Sequence, residues 1–195
     1  MFYNDKIVFI HIPKNGGTSI RNLIYKNSGG IYIKNHPTFD EITKINPSYT
    51  QNKVSFCIIR NPFDRFISIF RFNNQEKRLK KIFGESYINI KDKIDTLEKF
   101  ISNFEFPKDR WLGKSLYTPQ ALWANNVQNI FKIEDQKSLK KFLIKNGIKG
   151  DIPLENSSGD IVKDNFYYRE FYTKETKKFI QDKFQEDLEK FNYNF

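Results

Sequence analysis

A lysine, two glycines and two hydroxyl residues lie together in residues 9–19, which read F-I-H-I-P-K-N-G-G-T-S. Small residues let backbone N–H groups close around an anion, and the amino end of a following helix favours negative charge. Lys14 would add a positive charge at the same place. The segment therefore predicts a strand, a tight turn and a helix N-terminus that together bind a phosphate.

The order of these residues separates the loop from a Walker loop. In G-x-x-x-x-G-K-[ST] the lysine follows the last glycine, whereas here Lys14 precedes both glycines. The segment resembles the 5′-phosphosulfate loop of sulfotransferases that use 3′-phosphoadenosine 5′-phosphosulfate (PAPS), which in the carbohydrate and heparan sulfate 2-O-type branch often reads H-[IV]-P-K-[TN]-G-G-T-S. The resemblance implies that the 5′-phosphosulfate is bound by Lys14, Asn15, Gly16, Gly17, Thr18 and Ser19.

A second strand and helix follow at residues 54–70. Residues 54–59 predict a buried strand, Asn61 is a suitable N-cap, and Pro62 suits the first helical position. Ser68 is expected to point away from the buried stripe of that helix, toward solvent or a ligand. The stripe itself is predicted at helical spacing by Phe63, Phe66, Ile67 and Phe70.

Residues 60–68, R-N-P-F-D-R-F-I-S, are similar to the 3′-phosphate motif of the same family, R-[ND]-P-[FW]-[DE]-R-x-x-S. The resemblance implies that Arg60 and Ser68 hold the 3′-phosphate of PAPS, and the fork of an arginine suits a phosphate dianion. Arg65 is a weaker candidate for the same phosphate, because an exposed position on the helix is the alternative expectation for it.

Sulfuryl transfer also needs a base for the acceptor proton, and a neutral imidazole suits that task near neutral pH. Residues 34–42 resemble the family stretch K-H-x-T-x-x-E-I, with Asn35 as a departure between the lysine and His36. His36 is the predicted general base, and Asp40 and Glu41 are its rivals. His11, inside the first apolar run, is expected to be a buried, hydrogen-bonded structural histidine.

The three predicted ligand groups share one structural position. Lys14, His36 and Arg60 each follow a different predicted strand: residues 6–12, 31–33 and 54–59. In an open parallel sheet the carboxyl ends of the strands form the ligand crevice. These side chains are therefore expected to gather at one edge of the sheet.

Composition limits the partners and the compartment. The chain has 195 residues and a formal net charge of +10, which indicates anionic partners. Nucleic acid, an anionic membrane surface, a polyanionic cofactor such as PAPS or its product PAP, and a sulfated or uronic sugar all fit this charge. The single cysteine, Cys57, lies in an apolar strand and is predicted to be a buried small side chain. No signal-peptide pattern or membrane-length apolar run is present, so a cytoplasmic protein is expected. Lysine and amides provide charge stabilisation, so no metal is expected.

The pattern of elements predicts a single α/β domain over residues 1–195. The resemblance implies a P-loop-like, three-layer arrangement with a central, mostly parallel sheet flanked by helices. Residues 73–107 are predicted to be a variable helical region that faces the acceptor or forms a peripheral insertion. The acceptor hydroxyl is expected to belong to a sugar or glycan.

Two other functions remain open at this point. A P-loop phosphotransferase resembling a nucleotide kinase could use Glu134 and Asp135, which follow a predicted strand, as Walker-B-type carboxylates. A non-enzymatic nucleic-acid-binding protein would fit the basic charge. The basic residues, however, do not cluster with aromatic residues as in known RNA- or DNA-binding modules, so nucleic acid is not expected as the partner.

Overall fold

A computed structural model describes residues 1–103, 116–152 and 167–195. These residues divide into two compact units. The first contains residues 1–60 and 116–152, and the second contains residues 61–103 and 167–195. The single domain expected from the sequence stays a prediction.

Five strands of the described residues form one sheet in the first unit, in the order β3-β1-β2-β4-β5. They are β1 (Phe2–Tyr3), β2 (Ile7–Ile10), β3 (Ile31–Tyr32), β4 (Val54–Ile59) and β5 (Asn129–Lys132). Strands β2, β4 and β5 are parallel, and β1 is antiparallel to both of its neighbours. The mixed α/β class with a mostly parallel sheet is confirmed, whereas the three-layer, P-loop-like arrangement stays a prediction.

The helices in the described ranges follow in chain order. They are α1 (Gly17–Ser28), α2 (Phe39–Ile45), α3 (Pro62–Asn73), α4 (Glu76–Phe83), α5 (Tyr87–Lys93), α6 (Leu97–Asn103), α7 (Ala121–Ala124), α8 (Gln136–Lys145), α9 (Lys174–Lys183) and α10 (Gln185–Lys190). The predicted strand–turn–helix at the start of the chain is found as β2 and α1. The short strand β1 was missed, because two residues carry no periodic pattern.

The core of the first unit covers one face of the sheet. Phe9 of β2 and Phe56 of β4 stack with ring centroids 4.9 Å apart. Helices α1 and α8 bury apolar residues against this face, where Ile20, Leu23, Ile24, Leu139 and Leu143 lie. Burying each such side chain stabilises the fold by about 1.5–3 kcal/mol. Cys57 is fully buried, as predicted.

Helix α3 opens the second unit. Asn61 caps it by accepting a hydrogen bond from the Phe63 amide at 3.1 Å, and Pro62 occupies the first turn, as predicted. The predicted apolar stripe is buried. Arg65 is only 1% exposed, so its expected exposed position is wrong. Ser68 is only 7% exposed and does not face solvent, and its place beside a ligand stays a prediction. The burial of α3 extends beyond one stripe, so helical spacing alone did not define its exposed side.

The region that was expected to be helical and variable contains α4, α5 and α6. Its buried apolar residues are sparse among those that the structure describes: Leu79, Ile94, Leu97 and Phe100. Phe104 and the rest of the predicted region to residue 107 lie outside the described residues.

The last helical segment begins after Thr173, which caps α9 by accepting a hydrogen bond from the Thr176 amide. It divides at Phe184, which separates α9 from α10 and is itself buried. In the parts of the chain that the structure describes, no helix is both long enough and apolar enough to cross a membrane.

Candidate active site

The loop between β2 and α1 has a backbone shaped for an anion. Lys14 and Gly16 adopt positive φ angles of 70° and 71°, whereas Asn15 and Gly17 do not. Successive residues with φ angles of opposite sign can turn their N–H groups toward one side, as in an anion-binding nest. The predicted phosphate loop therefore has a suitable local conformation, with Lys14 half-buried beside it.

The amino end of α1 provides further donors. Gly16 is the N-cap residue, so no cap side chain is present to accept from the amides of the first turn. No acidic residue lies in that turn. Helix α2 differs, because Thr38 and Glu41 form a capping box that satisfies its first amides. Of these two helix ends, the first is therefore the one suited to an external anion.

Gly17 is required by the position of His11. A Cβ atom at residue 17 would overlap the imidazole of His11, which stacks on Phe9 with ring centroids 5.7 Å apart. His11 is 6% exposed, so its predicted burial is confirmed. The expected ring hydrogen bond is not found, since Nδ1 of His11 has no partner among the described residues. Burial lowers the pKa of His11 well below its ordinary value, and nearby His36 adds to the shift.

His36 lies against this same histidine. Its Nδ1 is 2.7 Å from the carbonyl oxygen of His11, and the two rings meet edge to face at 4.6 Å. A carbonyl oxygen can only accept, so Nδ1 carries the proton and Nε2 of the neutral ring carries the lone pair. Burial lowers the pKa of His36, while the bond to His11 opposes the shift. The imidazole is thus held in a tautomer that can accept a proton at Nε2.

The backbone at this histidine is strained and braced. Asn35 and His36 both have positive φ angles, 74° and 46°. Left-handed conformations of residues other than glycine cost about 1–3 kcal/mol each and persist where neighbours hold them. The indole Nε1 of Trp123 donates to the carbonyl oxygen of His36 at 2.8 Å. This bond, together with that to His11, holds the ring in place.

Arg60 follows β4, whose carboxyl end lies beside that of β2. Its guanidinium Nη1 donates to the carbonyl oxygen of Lys14 at 3.2 Å. The structure therefore brings Lys14 and Arg60 together at the strand ends, as the parallel-sheet argument predicted, and His36 joins them through His11.

Comparison with known families agrees with this geometry. The profile described as Sulfotransferase family matches residues 1–113. The chain belongs to the sulfotransferase family. No curated protein and no solved structure gives a significant match. The matched residues include the phosphate loop, His36 and the Arg60 motif.

The rival bases of this sulfotransferase have other partners. The carboxylate of Asp40 accepts from Asn126 at 2.8 Å and Asn125 at 3.2 Å. The carboxylate of Glu41 accepts from the Thr38 amide at 2.8 Å within the capping box. These bonds engage both carboxylates in local structure, which favours His36 as the base.

Ser68 and Arg65 lie on α3, in the second unit. Both side chains are buried, and the role of Ser68 at the 3′-phosphate stays a prediction from the sequence motif. The carboxylates proposed for the kinase alternative are both exposed. Asp135 caps α8 by accepting from the Ser138 amide at 3.0 Å, and hydrogen bonds from Ser138 lower its pKa.

Sequence reasoning missed Gln120 and Trp123. Gln120 is fully buried and bonds to both Asn15 and Arg60. A lone glutamine carries no pattern that reveals such a role. Trp123 offered one signal, because a buried indole N–H usually needs an acceptor. Across residues 1–103, 116–152 and 167–195, no group of three His, Cys, Asp or Glu side chains is arranged to hold a metal ion.

Proposed function

We propose that this sulfotransferase moves the sulfuryl group of PAPS to a hydroxyl group of a carbohydrate acceptor. The observation that carries the proposal is the fixed tautomer of His36. Its Nε2 lone pair belongs to a ring that is hydrogen-bonded to His11, three residues before Lys14 in the phosphate loop. His36, a proton acceptor, is thus hydrogen-bonded to the residue that leads into the proposed anion-binding loop. This combination suits the transfer of an anionic group to a hydroxyl.

The donor is held by two motifs. The nest and the first turn of α1 receive the 5′-phosphate through the amides of residues 15–19, with the hydroxyls of Thr18 and Ser19. Lys14 contacts the oxygen that bridges phosphate and sulfate. Arg60 binds the 3′-phosphate, and the sequence motif adds Ser68 as its second ligand.

In the reaction the acceptor oxygen attacks sulfur as His36 Nε2 takes the hydroxyl proton. The new O–S bond forms while the bond from sulfur to the bridging oxygen breaks, and 3′-phosphoadenosine 5′-phosphate (PAP) departs with that electron pair. Lys14 stabilises the charge that grows on the leaving oxygen.

The carbohydrate acceptor is supported by the form of the phosphate loop and by the charge. The sequence H-I-P-K-N-G-G-T-S fits the carbohydrate-type branch, and the net charge of +10 favours an anionic glycan. The kinase alternative loses support, because Asp135 caps a helix and the family match is to sulfotransferases.

The donor assignment is tested by thermal stability with PAP and with ADP, which lacks the 3′-phosphate. A ligand selective for the native state stabilises it by about 2.7 kcal/mol at one hundred times its Kd. PAP should raise the Tm clearly and ADP much less. In Arg60→Ala the advantage of PAP should shrink, since a hydrogen bond to a charged group contributes about 1.5–3 kcal/mol. Equal shifts with both nucleotides would contradict the 3′-phosphate assignment.

The acceptor assignment needs a transfer assay. Labelled PAPS is incubated with desulfated heparin and, separately, with desulfated chondroitin, and label on the glycan is measured. A matched incubation with ATP and Mg²⁺ tests phosphoryl transfer. Label from PAPS on either glycan supports the proposal, whereas transfer from ATP alone would replace it with the kinase.

A further inference from the structure

Residues 120–126 contact each loop that carries a proposed ligand group. Gln120 bonds to the phosphate loop and to Arg60, and Trp123 bonds to His36. Asn125 and Asn126 bond to Asp40, just after the base. This segment, which includes α7, begins after the residues matched by the sulfotransferase profile, which end at 113.

Gln120 joins the two proposed donor-binding loops, because its side-chain amide bonds to the side chain of Asn15 and to the main chain of Arg60. Its Oε1 accepts from Asn15 Nδ2 at 2.6 Å and from the Arg60 amide at 2.9 Å. Its Nε2 donates to the Arg60 carbonyl oxygen at 2.8 Å. Gln120 is 0% exposed, and a buried amide with these partners fixes their spacing, because breaking any bond leaves a buried polar atom unpaired.

Asn15 completes the connection. Its Nδ2 also donates to the carbonyl oxygen of Ile58 in β4 at 2.7 Å, and the residue is 1% exposed. The Asn15 side chain therefore points into the protein and leaves its backbone in the nest. The phosphate loop is held to the end of β4 at three places: by Asn15, through Gln120, and by the bond from Arg60 to Lys14.

Trp123 acts on a different loop. Its indole N–H bonds to the carbonyl of the second of two consecutive left-handed residues, Asn35 and His36. Without that bond the strained turn can relax, and the imidazole would leave the carbonyl of His11. Trp123 is 2% exposed, so phenylalanine can fill most of its space without the donor.

We propose that Gln120 and Trp123 are positioning residues with separable tasks: Gln120 aligns the two donor-binding loops, and Trp123 aligns the general base. The inference rests on the proposed function for its catalytic meaning. Its structural part can be tested in the free protein, so failure of one does not imply failure of the other.

The structural test uses Gln120→Met and Trp123→Phe without ligand. Loss of one hydrogen bond should speed hydrogen exchange at the Arg60 amide about tenfold in Gln120→Met. The Ile133 amide, which bonds to the Ile59 carbonyl, serves as internal reference and should be unchanged. In Trp123→Phe, nitrogen NMR should show His36 shifting from the Nδ1–H tautomer toward a mixture. Unchanged exchange at Arg60 and an unchanged His36 tautomer would overturn the inference.

The functional test separates donor affinity from turnover. Gln120→Met should weaken PAP binding about tenfold or more, as Arg60 moves from its phosphate. Trp123→Phe should keep PAP affinity and lower kcat by up to about 10²-fold, as expected for a misplaced catalytic group. Leu122→Ala, an exposed position on the same helix, is the matched control and should alter neither.

Two outcomes of the functional test are decisive against separate tasks. If both variants lose PAP affinity and kcat in equal measure while circular dichroism shows them folded, residues 120–126 stabilise the whole site and the two residues have no separate tasks. If wild-type protein neither binds PAP nor transfers label, the proposed function fails. The exchange and tautomer measurements would still report on the contacts.

Discussion

At the scale of single residues, the chemistry depends on where one proton resides. The carbonyl of His11 accepts from His36 Nδ1 and leaves the Nε2 lone pair as the basic site. Burial keeps the ring neutral by lowering its pKa. The same burial makes His36 a weaker base, because a lower pKa means a lower affinity for the acceptor proton. In return, more of the protein carries the neutral ring that can accept this proton.

The pH profile of kcat should reflect this environment. The base must be unprotonated, so activity falls on the acid side, and the lowered pKa places that fall below the ordinary histidine value of about 6.5. His36→Ala should lower kcat by about 10²–10⁴-fold, leave PAP affinity unchanged and remove the acid limb.

A second variant distinguishes the proposed base, His36, from Lys14, the charged side chain of the phosphate loop. Lys14→Ala should also lower kcat but keep the acid limb, because His36 still titrates. Normal turnover in His36→Ala, together with loss of activity in Glu41→Gln or Asp40→Asn, would show that a carboxylate is the base.

At the scale of elements, the turn from β2 into α1 depends on two glycines, each for a different reason. Gly16 takes the left-handed conformation of the nest, and Gly17 lets the His11 ring lie against the helix. The proposed phosphate loop and the loop that carries the proposed base, His36, thereby share one histidine, His11, whose ring packs on α1 and whose carbonyl orients His36.

Substitution of Gly17 should disturb both functions through that histidine. Gly17→Ala places a methyl group in the His11 ring, so PAP affinity and kcat should both fall, with a loss of stability of about 1–3 kcal/mol from overpacking. The double variant Gly17→Ala with His11→Ala removes the clash and should recover PAP binding. Denaturant unfolding and calorimetric titration with PAP measure the two effects.

Gly29→Ala is a suitable control for backbone strain. Unlike Gly17 it has a positive φ angle, 59°, and a Cβ there meets no atom within 4 Å, so Gly29→Ala tests backbone strain without a steric clash. It should cost stability without changing PAP affinity. If the double variant binds PAP no better than Gly17→Ala alone, the His11 contact is not the reason for glycine.

At the scale of the whole molecule, buried histidines connect the site to stability. His11 and His36 both have pKa values below those of the unfolded chain, His11 well below because burial dominates. The unfolded state therefore binds more protons in the range between the folded pKa and about 6.5. The contribution of these two histidines to stability is fully present above that range and declines as pH falls through it.

Replacement of His11 should flatten that dependence. The free energy of unfolding of wild type, measured by urea between about pH 7.5 and 5.5, should decline as pH falls. The buried Met1 ammonium, whose pKa is lowered to about 5, contributes across this range, and the histidines steepen the decline below about 6.5. His11→Gln should show a smaller slope whatever its absolute stability, because one protonating group is removed. Equal slopes would mean that His11 is not held neutral by the fold.

Much of the fold was predictable, because local patterns specify it, whereas the roles of the site residues stay predictions from the sequence motifs. Order and spacing in the phosphate loop predicted the β2–α1 turn, and Asn61 with Pro62 predicted the start of α3. The family motifs selected Lys14, His36 and Arg60, which the strand ends bring together. Exposure on α3 was misjudged for Arg65, since burial depends on what packs around a helix.

The sequence by itself determined the chemical groups and the family, since these follow from residue order over short stretches. Only the tertiary structure decided which nitrogen of His36 is basic, because the His11 carbonyl that sets it comes from another strand end. The same holds for Gln120 and Trp123, whose partners lie 60 to 105 residues away along the chain. Contacts of that separation have no local pattern and exist only once the chain has folded.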